Sequence, residues 1–211
     1  MELLYWIFTY GAYIALSGAM LVGYLSYKRQ RVEQRSLLWY LTSTFSIQLI
    51  AWFLAHNGLS NLFLYPIYTA VEFILLGHFL AILLETSRRH TLILLLAGGI
   101  ILLTEGILKL NNDNSIFWGK SLSHLVMIIG SGIYLYRQIQ KATVQQNNVS
   151  VFLLLALIGY FSISTFLFFF VLELKAIEIS SAYFIWGVHN ILLTLFYITC
   201  FIYFFRQWNL K

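Results

Sequence analysis

Glu72 lies near the middle of the hydrophobic run 62–84, at the level where a bilayer holds least water. An ionisable group at that depth costs about 2.5–3.5 kcal/mol on insertion scales, so it is expected to face a partner or a wet cavity. A carboxylate held there can anchor the polar end of a ligand or act as a proton-linked switch. Tyr65, Tyr68 and Glu72 follow the i, i+3, i+7 spacing of one helical stripe. Asn190, Thr194 and Tyr197 form a second such stripe, which Tyr183 and Trp186 continue outward. Gln48, Trp52 and His56 share a face of their segment, as do Tyr10, Tyr13 and Ser17; Ser121, His124 and Ser131; and Tyr160 and Ser164. With Glu105, Glu173 and His189, most of these groups fall in one half of the membrane, whereas His78 lies deeper than Glu72 and off its face. The expected partners of Glu72 are His189 and Asn190, then His124. The expected ligand-binding set is Glu72, His189, Asn190, Tyr68, Tyr65, Trp52, His56 and His124.

Several chemistries fail on spacing. Zinc draws on His, Cys and carboxylates, and His56, Glu72 and His189 form the one weak candidate set. However, no His-x-x-x-His, His-Glu-x-x-His or Cys-x-x-Cys pair puts two ligands on one helical face. The order of His, acid and His on the second, third and seventh hydrophobic segments resembles alkaline-ceramidase-like zinc hydrolases. That resemblance implies a membrane-embedded, metal-dependent hydrolase, but Trp52 stands where the family pattern has a serine, and Ile185 and Leu193 occupy the positions four either side of His189. A retinal Schiff base needs a lysine within a late span, and Lys28, Lys109, Lys120, Lys141, Lys175 and Lys211 all fall at segment ends or in loops. No Gly-x-Ser-x-Gly elbow or phosphate-cradling glycine loop occurs. No resident cofactor is expected.

These groups must be positioned by membrane helices. The chain has 211 residues, is 60% hydrophobic and only 10% charged, and at about 20 residues per spanning helix it has room for about seven spans and no separate soluble domain. Punctuation by polar residues places them at 4–26, 37–55, 62–84, 91–108, 116–136, 151–172 and 181–205. The fold class is therefore an all-α, polytopic seven-transmembrane bundle in a single domain. The first span is expected to be retained, because Met1-Glu2 lacks a basic flank. The lone Cys200 has no partner for a disulfide, and the net charge of +5 reflects orientation and anionic lipid, with no nucleic-acid patch.

Ten of the 13 Lys and Arg residues follow the first, third, fifth and seventh spans. Lys109, Lys120 and Lys175 alone lie at the opposite end. This bias puts the N-terminus outside and the C-terminus in the cytoplasm. A weak internal echo pairs Phe45-Ser46-Ile47 with Phe161-Ser162-Ile163, and Tyr65, Tyr68, Glu72 with Tyr183, Trp186, Asn190. It suggests a parallel 3+1+3 repeat, a plan shared by small sugar transporters, although their paired proline-glutamine motifs are absent.

Inward Ser, Tyr and amide side chains also have a plain role as interhelical glue, at about 0.6–2 kcal/mol each; Gln48, Ser46 and Ser164 are read that way. Tyr5, Trp6, Trp118 and Tyr183 suit an interfacial aromatic belt. Glu72 is read as functional. The segment Tyr65-Pro66-Ile67-Tyr68-Thr69-Ala70-Val71-Glu72-Phe73, with His189-Asn190, resembles bacterial seven-helix membrane modules associated with sensor histidine kinases. That resemblance implies a receptor-like protein of the bacterial cytoplasmic membrane. It would bind a small or lipidic ligand in the outer half and signal to a separate kinase. A small-solute transporter is the further alternative.

Overall fold

The computed structural model describes residues 2–110, 118–140, 148–169 and 179–209. The described residues form seven α-helices: α1 (Glu2–Leu25), α2 (Val32–His56), α3 (Leu64–Leu83), α4 (Arg88–Leu110), α5 (Trp118–Gln140), α6 (Asn148–Phe169) and α7 (Ile179–Asn209). Six of them, all but α5, contain stretches long and apolar enough to cross a membrane. The helices extend beyond the expected spans at most ends, since intrahelical hydrogen bonding continues into polar flanks. Thus α2 begins five residues before position 37 and takes in Arg35. Residues 170–172 of the sixth expected span lie outside the described residues, as do Glu173 and Lys175.

Polarity is arranged as lipid demands. On α5 the exposed stripe is Leu122, Val126, Ile129 and Ile133, while Lys120, Ser121, Ser123, His124 and Ser131 are buried. Water would favour the reverse placement. Among hydrocarbon chains, polar groups gain partners only inside the bundle, so the polar face of α5 turns inward.

Packing follows a ring. α2 packs on α1 and α3, α5 on α3 and α6, and α7 closes the circle against α6 and α1. α4 lies outside this ring, seated chiefly on α3 and touching α5. Close approach depends on glycines: a methyl at Gly106 of α4 would come within 2.5 Å of Pro66 Cβ on α3, and one at Gly99 within 2.8 Å of Ile74 Cγ1. Small residues let helix backbones meet where no hydrophobic effect drives association. Pro66 itself costs little, because it occupies the first turn of α3, where its missing N–H has no intrahelical acceptor.

The half of the ring nearest the basic turns has a largely hydrocarbon centre, with buried polar groups such as Gln34, Ser36 and Ser131 at the helix seams. Leu76, Phe79 and Leu80 of α3 pack in one buried cluster with Leu37, Leu38, Met127, Leu157, Cys200 and Phe204. At that end the α1–α2 turn is closed by Gln30, whose Nε2 donates to Gly23 O at 2.6 Å. Arg29 Nη1 reaches Trp208 O at 3.0 Å and so ties this turn to the end of α7. The Glu72 carboxylate lies in the other half.

Candidate functional site

Glu72 is buried, with 2% of its surface exposed, and four side chains converge on its carboxylate. Tyr68, one turn earlier on α3, donates its hydroxyl to Oε1 at 2.9 Å. Tyr40 of α2 donates to the same oxygen at 3.5 Å. On Oε2, His124 Nε2 of α5 lies at 3.3 Å, and Lys120, one turn before His124, forms an ion pair with the same oxygen. The Lys120 ammonium also sits 4.4 Å from the centroid of the Tyr68 ring, a cation–π contact. Helical period explains the grouping: Tyr68 and Glu72 on α3, like Lys120 and His124 on α5, are four residues apart and share a face.

The carboxylate therefore has an ammonium and three hydrogen-bonding groups around it, as a buried charge requires. Lys120, at 2% exposure, is as deeply buried as the acid it neutralises. Sequence reasoning assigned Lys120 to the outer loop charges and gave Tyr40 no role. The available signal was the four-residue interval between Lys120 and His124, which its place at a segment end obscured. Tyr40 gave less warning, because its helix meets α3 only in the folded bundle.

Beside this cluster is an open cavity of about 320 Å³ whose polar lining includes Tyr65, Tyr68, Lys120, Tyr160 and His189. Its apolar wall is Ile47, Ala51, Leu62, Leu64 and Leu193, and it reaches Asn61 and Leu62 in the α2–α3 turn. His189 packs 5.3 Å from the Tyr160 ring centroid, and its Nδ1 has no hydrogen-bond partner among the described residues. A second, almost wholly apolar cavity of about 270 Å³ lies between α1 and α2, lined by Tyr10, Tyr13, Phe45, Gln48, Leu49 and Trp52.

Of the expected ligand-binding residues, the structure thus brings together Glu72, Tyr65, Tyr68, His124 and His189. Trp52, His56 and Asn190 lie elsewhere. Trp52 is 60% exposed and stacks on the exposed ring of His56 at 5.4 Å. Each four-residue step along α2 turns about 40° past a full rotation, so the face that starts inward near Thr44 has left the interior by His56. Asn190 also points away from Glu72, as its amide donates to Thr9 of α1 at 2.8 Å. Thr194, one turn on, bonds Asn190 O at 2.7 Å on the same side. Ser46, expected to glue helices, is exposed and donates to its own helix at Thr42 O, 2.9 Å away.

The weak zinc set is not assembled, because His56 lies on the outside of α2. Among the described residues no three His, Cys, Asp or Glu side chains converge as a metal site. Glu105 of α4 approaches the backbone at Gly119, whereas His78 pairs with Ser36 Oγ at 3.0 Å in the opposite half. Compared with known protein families, curated proteins and solved structures, the chain has no significant match.

Proposed function

We propose that the chain is a receptor-like membrane protein that binds a small or lipidic ligand in the cavity beside Glu72 and passes the change to a cytoplasmic partner. The observation that carries this reading is the meeting of an open, mixed polar and apolar cavity with a buried, fully partnered charge cluster. Ligand sites combine an apolar wall with a few placed polar groups in this way. The path beyond the cluster is filled by Leu76, Phe79, Leu80 and their neighbours, which favours sensing over passage of a solute.

α3 and α5 supply a route for the signal. They meet at Glu72 and Lys120 and again at the basic end, where Arg137 Nη1 donates to Leu84 O at 3.1 Å. The twelve residues between Glu72 and Leu84 span about 18 Å of helix. A shift at the cavity is thereby carried to the face on which we place the cytoplasm and a separate histidine kinase, following the charge bias and the resemblance to kinase-associated modules. We place the protein in a bacterial cytoplasmic membrane, with α5 as a seventh span.

The ring order also supports the parallel 3+1+3 repeat. Rotating α1, α2 and α3 onto α5, α6 and α7 exchanges the α3–α5 seam with the α7–α1 seam, leaving α4 as the outside linker. Glu72 bridges the first seam through Lys120, and its echo Asn190 bridges the second through Thr9.

Native mass spectrometry of protein taken directly from membranes into nanodiscs tests the ligand site. Wild type should carry a small amphiphile, and Ala51→Trp, which fills the cavity, should come out empty with its thermal stability retained. Equal loading of the two proteins, or an empty wild type, removes the cavity from the reading.

A further inference from the structure

Resting on the ligand-site reading above, we infer that the ligand's polar end is a carboxylate on a short hydrocarbon, which takes Lys120 over from Glu72. The cavity wall presents one ammonium (Lys120), three phenols (Tyr65, Tyr68, Tyr160), the His189 imidazole and the neutral carboxamides of Gln48 and Asn61. Among the described residues no carboxylate lines it. Glu72, the acid that neutralises Lys120, lies behind the ammonium and away from the cavity wall. A cationic ligand would thus meet the Lys120 ammonium with no acid of the described residues facing it, and a neutral ligand would gain no ionic contact. An anion gains Lys120, with Tyr65 and Tyr160 as neutral donors.

His189 supplies a second, independent pointer. It is buried at 8% exposure in the wall of this cavity, and its Nδ1 has no partner among the described residues. Burying a polar nitrogen without a hydrogen bond is unfavourable; with the imidazole turned to the cavity and its proton on Nδ1, His189 donates to an oxygen placed between it and Lys120. A carboxylate has two oxygens, one for each group. Ile47, Ala51, Leu62, Leu64 and Leu193 then cover the hydrocarbon. At about 320 Å³ the cavity is near the small end of ligand sites, roughly 300–1,000 Å³, which suits a single short chain.

The arrangement on Glu72 permits the exchange. Lys120 shares Oε2 with His124 Nε2, and Oε1 is held separately by Tyr68 and Tyr40. When the ammonium turns to an incoming carboxylate, Glu72 keeps three hydrogen-bonding groups. Glu72 is therefore a displaceable counter-ion, and it competes with the ligand.

Calorimetric titration of the protein in phosphatidylcholine nanodiscs with octanoate and with 1-octanol tests this. Wild type should bind octanoate more tightly than octanol. Lys120→Met should lose octanoate affinity by roughly a hundredfold while octanol affinity stays unchanged, the scale expected for a buried charge contact. Glu72→Gln, which removes the competitor, should bind octanoate about tenfold more tightly, equivalent to about 1.4 kcal/mol. If Lys120→Met loses octanol as well, its fold has failed and the Glu72→Gln result decides alone: tighter binding supports the exchange, and unchanged or weaker binding overturns it. Octanol and octanoate binding alike to wild type and Lys120→Met would leave the cavity a ligand site but refute the anion. Neither compound binding to any variant would count against both the anion and the cavity. Suppression of octanoate binding in phosphatidylglycerol nanodiscs would assign the anion to a lipid headgroup and overturn the free carboxylate.

Discussion

Lys120→Met gives the sharpest test of how the interior is held together. In wild type Glu72 and Lys120 are each 2% exposed and neutralise one another. Removing the ammonium leaves a carboxylate in low dielectric, and breaking one side of a buried pair costs about 3–5 kcal/mol. The lower end, about 3 kcal/mol, applies because Tyr68, Tyr40 and His124 still hydrogen-bond the acid. Glu72→Gln should cost a similar amount, since it strands the ammonium instead. The double variant Glu72→Gln/Lys120→Met carries no buried charge at either position and should cost no more than either single change. The two singles sum to about 6 kcal/mol, so the cycle yields a coupling of at least about 3 kcal/mol. Thermal unfolding in dodecylmaltoside, followed by circular dichroism, reads this as a fall of roughly 6–12 °C for each single change, at about 2–4 °C per kcal/mol. Additive effects, or singles that leave the midpoint within about 1 °C of wild type, would show that the pair is not the electrostatic keystone described here.

Other outcomes follow from the same packing. Gly106→Leu drives a side chain into Pro66, whose Cβ lies 2.5 Å from a methyl at that position; α4 should detach from α3, seen as loss of cross-linking between cysteines placed across that seam. Cys200 is fully buried, so maleimide should leave the folded protein unlabelled and modify it once denatured in SDS. A fluorescent protein fused after the last residue should be bright, and alkaline phosphatase at the same point inactive, if that end lies in the cytoplasm as we propose from the charge bias; the reverse pattern inverts the proposed orientation.

The helical class and most helix positions were legible because hydropathy and length speak directly to a bilayer. Glu72 was legible for the same reason, as an acid within a long apolar run. Its neighbours Tyr65 and Tyr68 followed from spacing along one helix. Partners on other helices did not, since facing and depth depend on how the bundle packs. His124 reaches the Glu72 carboxylate, whereas His189, the first partner expected, reaches only the cavity wall, Asn190 turns to α1, and Trp52 and His56 rotate out of the interior. Lys120 was missed because position near a segment end suggests a solvated charge, whereas its side chain extends inward to meet an acid.

The inward polar face of α5 has a consequence for biogenesis. Taken as the proposed seventh span, α5 leaves the translocon carrying Lys120, Ser121, Ser123, His124 and Ser131, polar groups whose insertion into hydrocarbon is unfavourable. By then α3 is already synthesised and holds the acid that lowers this cost. Membrane integration of α5 therefore depends on an earlier helix, and a truncated chain beginning after α3 should leave it at the surface.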